Sequence, residues 1–275
     1  MRLLKLLVVA LAIVVAITGT VLYIPSAGKF EGPKITCSVE GAIEVSSNVT
    51  DDDLLAFISA KDEQDGDLTD ETIVVRKKFF IDKKTSLVTF SVCDSNNNVT
   101  ALQKEIVYTD YTPPTLDLKN DFIFPSGRTY GDLAGYVTAT DKFDGDLSKY
   151  VKLISTEFTT SEGKYPINLK VSNSMGDTED ITIDAMVLDE FNFNVRINLK
   201  NYISYASVGS EPDYMSYVVS ITGSEAAGRE IKDINVNSDE VDMSTPGIYN
   251  VYYTIKEKDN RVALARLILI VREEY

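Results

Sequence analysis

The sequence predicts an all-β ectodomain of tandem two-layer sandwiches, preceded by one N-terminal transmembrane α-helix. Three observations carry that expectation. An uncharged apolar run opens the chain, a block of sequence recurs at constant spacing, and each copy alternates apolar and polar residues between turn-forming clusters.

The apolar run is Leu6–Ile24, preceded by Arg2 and Lys5 and closed by Pro25. As a helix it would extend about 28 Å, close to the hydrocarbon thickness of a bilayer. A cleavable signal has a shorter apolar core and a small-x-small site, which Ser26-Ala27-Gly28 behind Pro25 fits poorly. Residues 1–25 therefore read as a membrane anchor. Positive charge ahead of the span favours a cytoplasmic N-terminus, with everything beyond it outside.

The 275-residue chain has a net charge of −15, two Cys and no His or Trp. The missing His excludes imidazole-based nucleophile pairs and His-ligated zinc. Two Cys are too few for an unaided structural zinc or iron–sulfur site. So acidic a chain repels phosphate backbones, which argues against nucleic acid as a partner. No enzyme is expected.

The repeat is read directly. Asp53 and Asp132, Asp62 and Asp141, and Asp67 and Asp146 each stand 79 residues apart. Between Asp53 and Leu68, eight of sixteen positions are identical at that spacing. A weaker third copy aligns Asp213-Tyr214 and Tyr217-Val218 with Asp132-Leu133 and Tyr136-Val137, and has Gly223–Gly228 where the acidic box should be. The expected modules are 32–109, 112–187 and a divergent 189–275. Each is expected to have its own core, with short stiff joints at Pro113-Pro114 and Leu188-Asp189-Glu190.

Within each module the strands follow from period-2 patterning. Val88, Phe90 and Val92 share one face, as do Tyr165, Ile167, Leu169 and Val171, and then Tyr249, Val251, Tyr253 and Ile255. Asp94–Asn98 and Asn173–Asp177 supply turn chemistry behind the first two. Antiparallel sheets are expected, with no helix beyond residue 25.

The pattern A-x-D-x-x-D-G-D-L-[TS], followed by alternation that ends near D-S-x-x-N, resembles the bacterial immunoglobulin-like domain related to one in a pesticidal crystal protein. The resemblance covers Ala60–Asn98 and Ala139–Asp177 well and Asp213–Asn260 in part. The chain departs from the pattern at Lys84 and Ser86, and has Asn173 where an Asp is usual. The resemblance implies tandem immunoglobulin-like β-sandwiches on a bacterial surface protein and says nothing about activity.

The acidic boxes Asp62, Asp65, Asp67 and Asp141, Asp144, Asp146 admit two readings. They can supply several oxygens to Ca²⁺, or cap the tight turns at Gly66 and Gly145. Cys37 and Cys93 are an even pair in an exported chain, which favours a disulfide, yet they fall on opposite strand phases. Tyr202, Tyr205, Tyr214 and Tyr217 form either an aromatic binding face or core and edge residues.

The functional expectation is a single-pass protein of the bacterial cell membrane whose modules serve spacing, adhesion or docking to a protein or surface glycan. The alternative is an accessory or sensory subunit of a membrane-embedded envelope or export complex. The third module, distal to the membrane and most diverged, is the expected contact site.

Overall fold

The computed structural model describes residues 31–127, 133–155, 160–189, 191–256 and 261–273. The expected anchor, 1–25, lies outside them. Among the described residues no helix is long and apolar enough to cross a membrane.

The chain is all-β. The first repeat contains β1 (Lys34–Cys37), β2 (Ile43–Val45), β3 (Ile58–Asp62), β4 (Gly66–Asp67), β5 (Ile73–Asp82), β6 (Thr85–Cys93) and β7 (Val99–Tyr108). The second contains β8 (Thr115–Leu118), β9 (Ile123–Pro125), β10 (Val137–Asp141), β11 (Gly145–Asp146), β12 (Lys152–Ser155), β13 (Gly163–Ser172) and β14 (Thr178–Leu188). The third contains β15 (Arg196–Leu199), β16 (Ile203–Ser207), β17 (Val218–Thr222), β18 (Asn235–Asn237), β19 (Gly247–Lys256) and β20 (Val262–Arg272).

Strand order repeats with them. The small sheets run β1-β3-β4, β8-β10-β11 and β15-β17, and the larger ones β2-β7-β6-β5, β9-β14-β13-β12 and β16-β20-β19-β18. Among the described residues the third copy lacks the two-residue strand that closes the acidic turn in the other two. The alternation in the sequence is the alternation in burial: Val88, Phe90 and Val92 point inward, as do Ile167, Leu169, Val171, Val251, Tyr253 and Ile255. Each such aliphatic or aromatic side chain contributes roughly 1.5–3 kcal/mol through burial.

Two expectations about local structure are corrected. A short helix, α1, spans Asp51–Leu55. The Thr50 side chain accepts from the Asp53 amide at 3.2 Å while the Asp53 carboxylate accepts from the Thr50 amide at 3.0 Å. That reciprocal cap, with acids in the first turn and Leu54 buried beneath, stabilises the turn. The larger sheets of the second and third repeats are also mixed rather than antiparallel, because β9 pairs with β14 and β16 with β20 in parallel. In both copies a short segment carries the chain from the small sheet to the larger one, so the strand runs forward beside the last strand.

The chain divides into two compact units, and the division passes through the long strands of the first repeat. Among the described residues, one unit takes in 31–43 with Val49–Arg76 and Leu87–Glu105; the other comprises Glu44–Asn48, Lys77–Ser86 and those from Ile106 onward. In the first unit, β1 pairs antiparallel with β3, and Ala60, Leu68 and Val92 pack with Ile35. In the second, one buried cluster runs from Leu116 through Leu169 and Val251 to Ile270. The second and third repeats therefore share a core where separate ones were expected. Strand β20 shows why: every residue from Ala265 to Val271 is buried, so both of its faces are covered.

Candidate functional site

The two acidic boxes adopt the same arrangement. Gly66 and Gly145 occupy φ of 80° and 68°, the left-handed region that a tight hairpin needs. Asp62 Oδ1 accepts from the amides of Gln64 and Asp65 at 2.8 and 3.0 Å; Asp141 Oδ1 does the same for Phe143 and Asp144 at 2.8 and 3.1 Å. These are Asx turns, in which a side chain takes over a backbone acceptor's role.

Asp65 and Asp144 reach a distant loop. Asp65 accepts from the amide and hydroxyl of Ser95 at 2.7 and 2.8 Å, and Asp144 from those of Ser174 at 2.6 and 2.8 Å. Asp67 and Asp146 work through a hydroxyl. Thr69 donates to Asp67 Oδ1 from its amide at 3.0 Å and its hydroxyl at 2.6 Å, and that hydroxyl accepts from the Ala60 amide at 3.1 Å. Ser148 repeats the relay between Asp146 and Ala139. The hydroxyl and amide of Thr69, and those of Ser148, hold the carboxyls of Asp67 and Asp146 below the usual carboxylate range.

These bonds are the ones the turn-capping reading calls for. Among the described residues no three acidic, thiol or imidazole side chains are grouped to hold a cation. The physical reason is that each carboxylate is turned to its own N–H or O–H donor.

The turn behind β6 and β13 explains a departure in the motif. Asp94 Oδ1 accepts from the amides of Asn96 and Asn98 at 2.9 and 2.7 Å, and Asn173 Oδ1 accepts from those of Met175 and Asp177 at 3.0 and 2.9 Å. An amide oxygen serves as well as a carboxylate there. Its nitrogen adds donors that Asp lacks, to Tyr111 Oη at 2.7 Å and Asp141 at 3.0 Å. Burial, with the charges of Asp177 and Asp141 next, pushes the Tyr111 phenol well up.

Of the two readings of Cys37 and Cys93, the structure has the unbridged one, with both thiols free. Cys37 shares the phase of Ile35, half-buried, whereas Cys93 follows buried Val92 and so points to the opposite, exposed side of its strand. The four tyrosines of the third repeat do not form an open face. Tyr202 is buried; Tyr205 Oη accepts from the Leu116 amide at 2.9 Å, and its ring lies under the Arg272 guanidinium at 4.5 Å. Tyr217 shares a hydrogen bond with Ser204 at 2.8 Å and carries Lys200 over its ring at 4.6 Å. The Tyr214 carbonyl accepts from Tyr253 at 2.8 Å.

Sequence reasoning missed the residues that join the second repeat to the third. Asp117 accepts from the amides of Leu118, Tyr202 and Ile203 at 2.8–2.9 Å and from the Asn201 side chain at 2.8 Å. Asp121 accepts from the Arg266 amide at 2.6 Å and lies 3.5 Å from its guanidinium, which also donates to the Asp184 carbonyl at 2.7 Å. The Arg266 side chain is 1% exposed, that of Asp121 11%, and Arg266 Nε has no partner among the described residues. Desolvation pushes the Asp121 carboxyl up to about 6 despite the opposing pull of Arg266. One signal was available: Arg266 is a lone charge in the apolar stretch Val262–Val271.

No protein-family model matches the chain. It is 26% identical over 191 residues to the pesticidal crystal protein Cry22Aa of Bacillus thuringiensis, an alignment that covers 67% of this chain and 25% of that protein. The chain thus matches a quarter of the length of that curated relative. Among solved structures, it is similar to the M60 catalytic domain with the CBM51-1 and CBM51-2 domains from Clostridium perfringens ZmpB. That match has TM-score 0.24 and 12% identity, over 89% of this chain and 31% of that one. It is also similar to the lipoprotein BT2262 from Bacteroides thetaiotaomicron, with TM-score 0.23 and 14% identity over 55% of this chain and 77% of that one.

Proposed function

We propose that this chain is a membrane-anchored bacterial surface protein that presents tandem immunoglobulin-like sandwiches for non-catalytic docking to a protein or surface glycan. The observation that carries the reading is the triple recurrence of one pair of sheets in one strand order, behind an apolar run of membrane-spanning length. The sequence likeness to Cry22Aa over 191 residues accords with the resemblance of the repeats to a domain of a pesticidal crystal protein. The non-catalytic role is supported by the lack of His and by the box carboxylates, each occupied in holding a turn.

Protease treatment of intact cells expressing the full chain with a C-terminal tag tests it. The tag is expected to be lost from intact cells, and the chain to leave the membrane fraction when Leu6–Ile24 is deleted. A tag protected until the cells are broken would refute the reading. Replacing Leu6–Ile24 with an unrelated apolar helix should leave docking intact; loss of activity would favour a subunit working through its span.

A further inference from the structure

We infer that the cleft between the second and third repeats is a binding site for a neutral saccharide, a proposal that rests on the docking reading above and names a ligand class for it. The cleft encloses about 450 Å³ within the larger unit, inside the range of roughly 300–1,000 Å³ usual for small-ligand sites. Half-buried Phe124, Phe191 and Phe193 wall it, exposed Tyr136 stands at its rim, and Asp121, Asn120 and Arg196 bring polar groups to it. The Phe191 and Phe193 rings pack against each other at 4.3 Å between centroids, so they present a preset aromatic surface.

Three features select the ligand. Aromatic faces left partly open to water favour an occupant with an apolar face, and the C–H face of a pyranose ring provides one. The Asp121 carboxylate receives 2.6 Å and 3.5 Å contacts from Arg266 and retains acceptor capacity, which hydroxyl donors can use. Charge favours neither ionic class, because the lining carries one carboxylate, Asp121, and one guanidinium, Arg196, so neither an anion nor a cation finds an unopposed counter-charge. A neutral molecule with one apolar face and several hydroxyls satisfies all three conditions.

Ligand-observed NMR titration of the full chain with glucose, galactose, mannose and N-acetylglucosamine, each to about 20 mM, tests the proposal. At least one sugar is expected to bind, and Phe193→Ala to weaken it about tenfold, the loss of one stacking contact. Should Phe193→Ala disturb folding, Arg196→Ala on the exposed phase of β15 is expected to weaken the same sugar severalfold at an unchanged melting temperature. Tyr150→Ala, outside the cleft, should leave binding unchanged. Binding of none of the four sugars, or equal binding by the cleft variants and the parent, would overturn the proposal. Surface presentation is read separately in the protease experiment, so the cleft can fail while the docking reading stands.

Discussion

Two sets of aspartates divide the work of this chain differently from what their prominence suggests. The boxes at Asp62–Asp67 and Asp141–Asp146 are conspicuous, duplicated and largely exposed, and they hold hairpins and neighbouring loops in place. Asp117 and Asp121 belong to no motif, yet they tie the second repeat to the third through buried or half-buried bonds. The third repeat sharpens the contrast. It keeps the two-sheet strand order without the box, and Glu225 there accepts from Asn192 and Asn194 at 3.0 and 2.9 Å. A carboxylate in a solvated turn is replaceable; one that faces a buried guanidinium is not.

The largest effect is expected at that buried pair. Asp121→Ala leaves Arg266 charged and uncompensated, which should cost about 3–5 kcal/mol in denaturant unfolding. A loss no greater than that of a surface substitution would place the junction's stability elsewhere. Asp117→Ala should come next, at about 2–3 kcal/mol, since three amides and one side chain lose their acceptor together. Gly145→Val forces a β-branched residue to φ near 68° and should cost about 1–2 kcal/mol, with the hairpin's amides losing exchange protection first.

Acid separates Asp121 from Asp67 and Asp146 by sign. The folded Asp121 carboxyl lies near 6, above its ordinary value of 3.8, so its contribution is complete below 3.8 and fades as pH rises through 6. Asp67 and Asp146 lie below 3.8 when folded, so their contribution is complete above 3.8 and lost as pH falls through their lowered values. Between pH 7 and 5 the melting temperature of the parent should therefore rise relative to Asp121→Asn. Equal slopes for the two would remove Asp121 as the titrating group. The smallest effect belongs to calcium. Adding about 5 mM Ca²⁺, above the usual affinity of weak extracellular sites, should leave the melting temperature unchanged; a rise abolished by Asp144→Ala would assign a cation to the box.

What the sequence made readable follows from the range over which each feature is encoded. A duplication 79 residues apart and a period-2 face such as Val88, Phe90 and Val92 are recorded in neighbouring letters, and the strand order and burial follow them. Helix α1 was equally local, in the Thr50–Asp53 cap, but a five-residue helix carries too little apolar periodicity to stand out. The parallel partners of β14 and β20 depend on where a short segment delivers the chain, which alternation does not encode. Asp121 and Arg266 stand 145 residues apart, and nothing near either residue names the other. A lone charge inside an apolar strand was the one hint, because such a residue needs a buried counterpart.

Native-state hydrogen exchange on the full chain with Asp121→Ala tests the joined core most directly. If the second and third repeats open together, the amides of β13 and β19 should lose protection by the same free energy. Protection of β13 unchanged from the parent, with the loss confined to β19, would mean that the two repeats are separate folding units and would contradict the account.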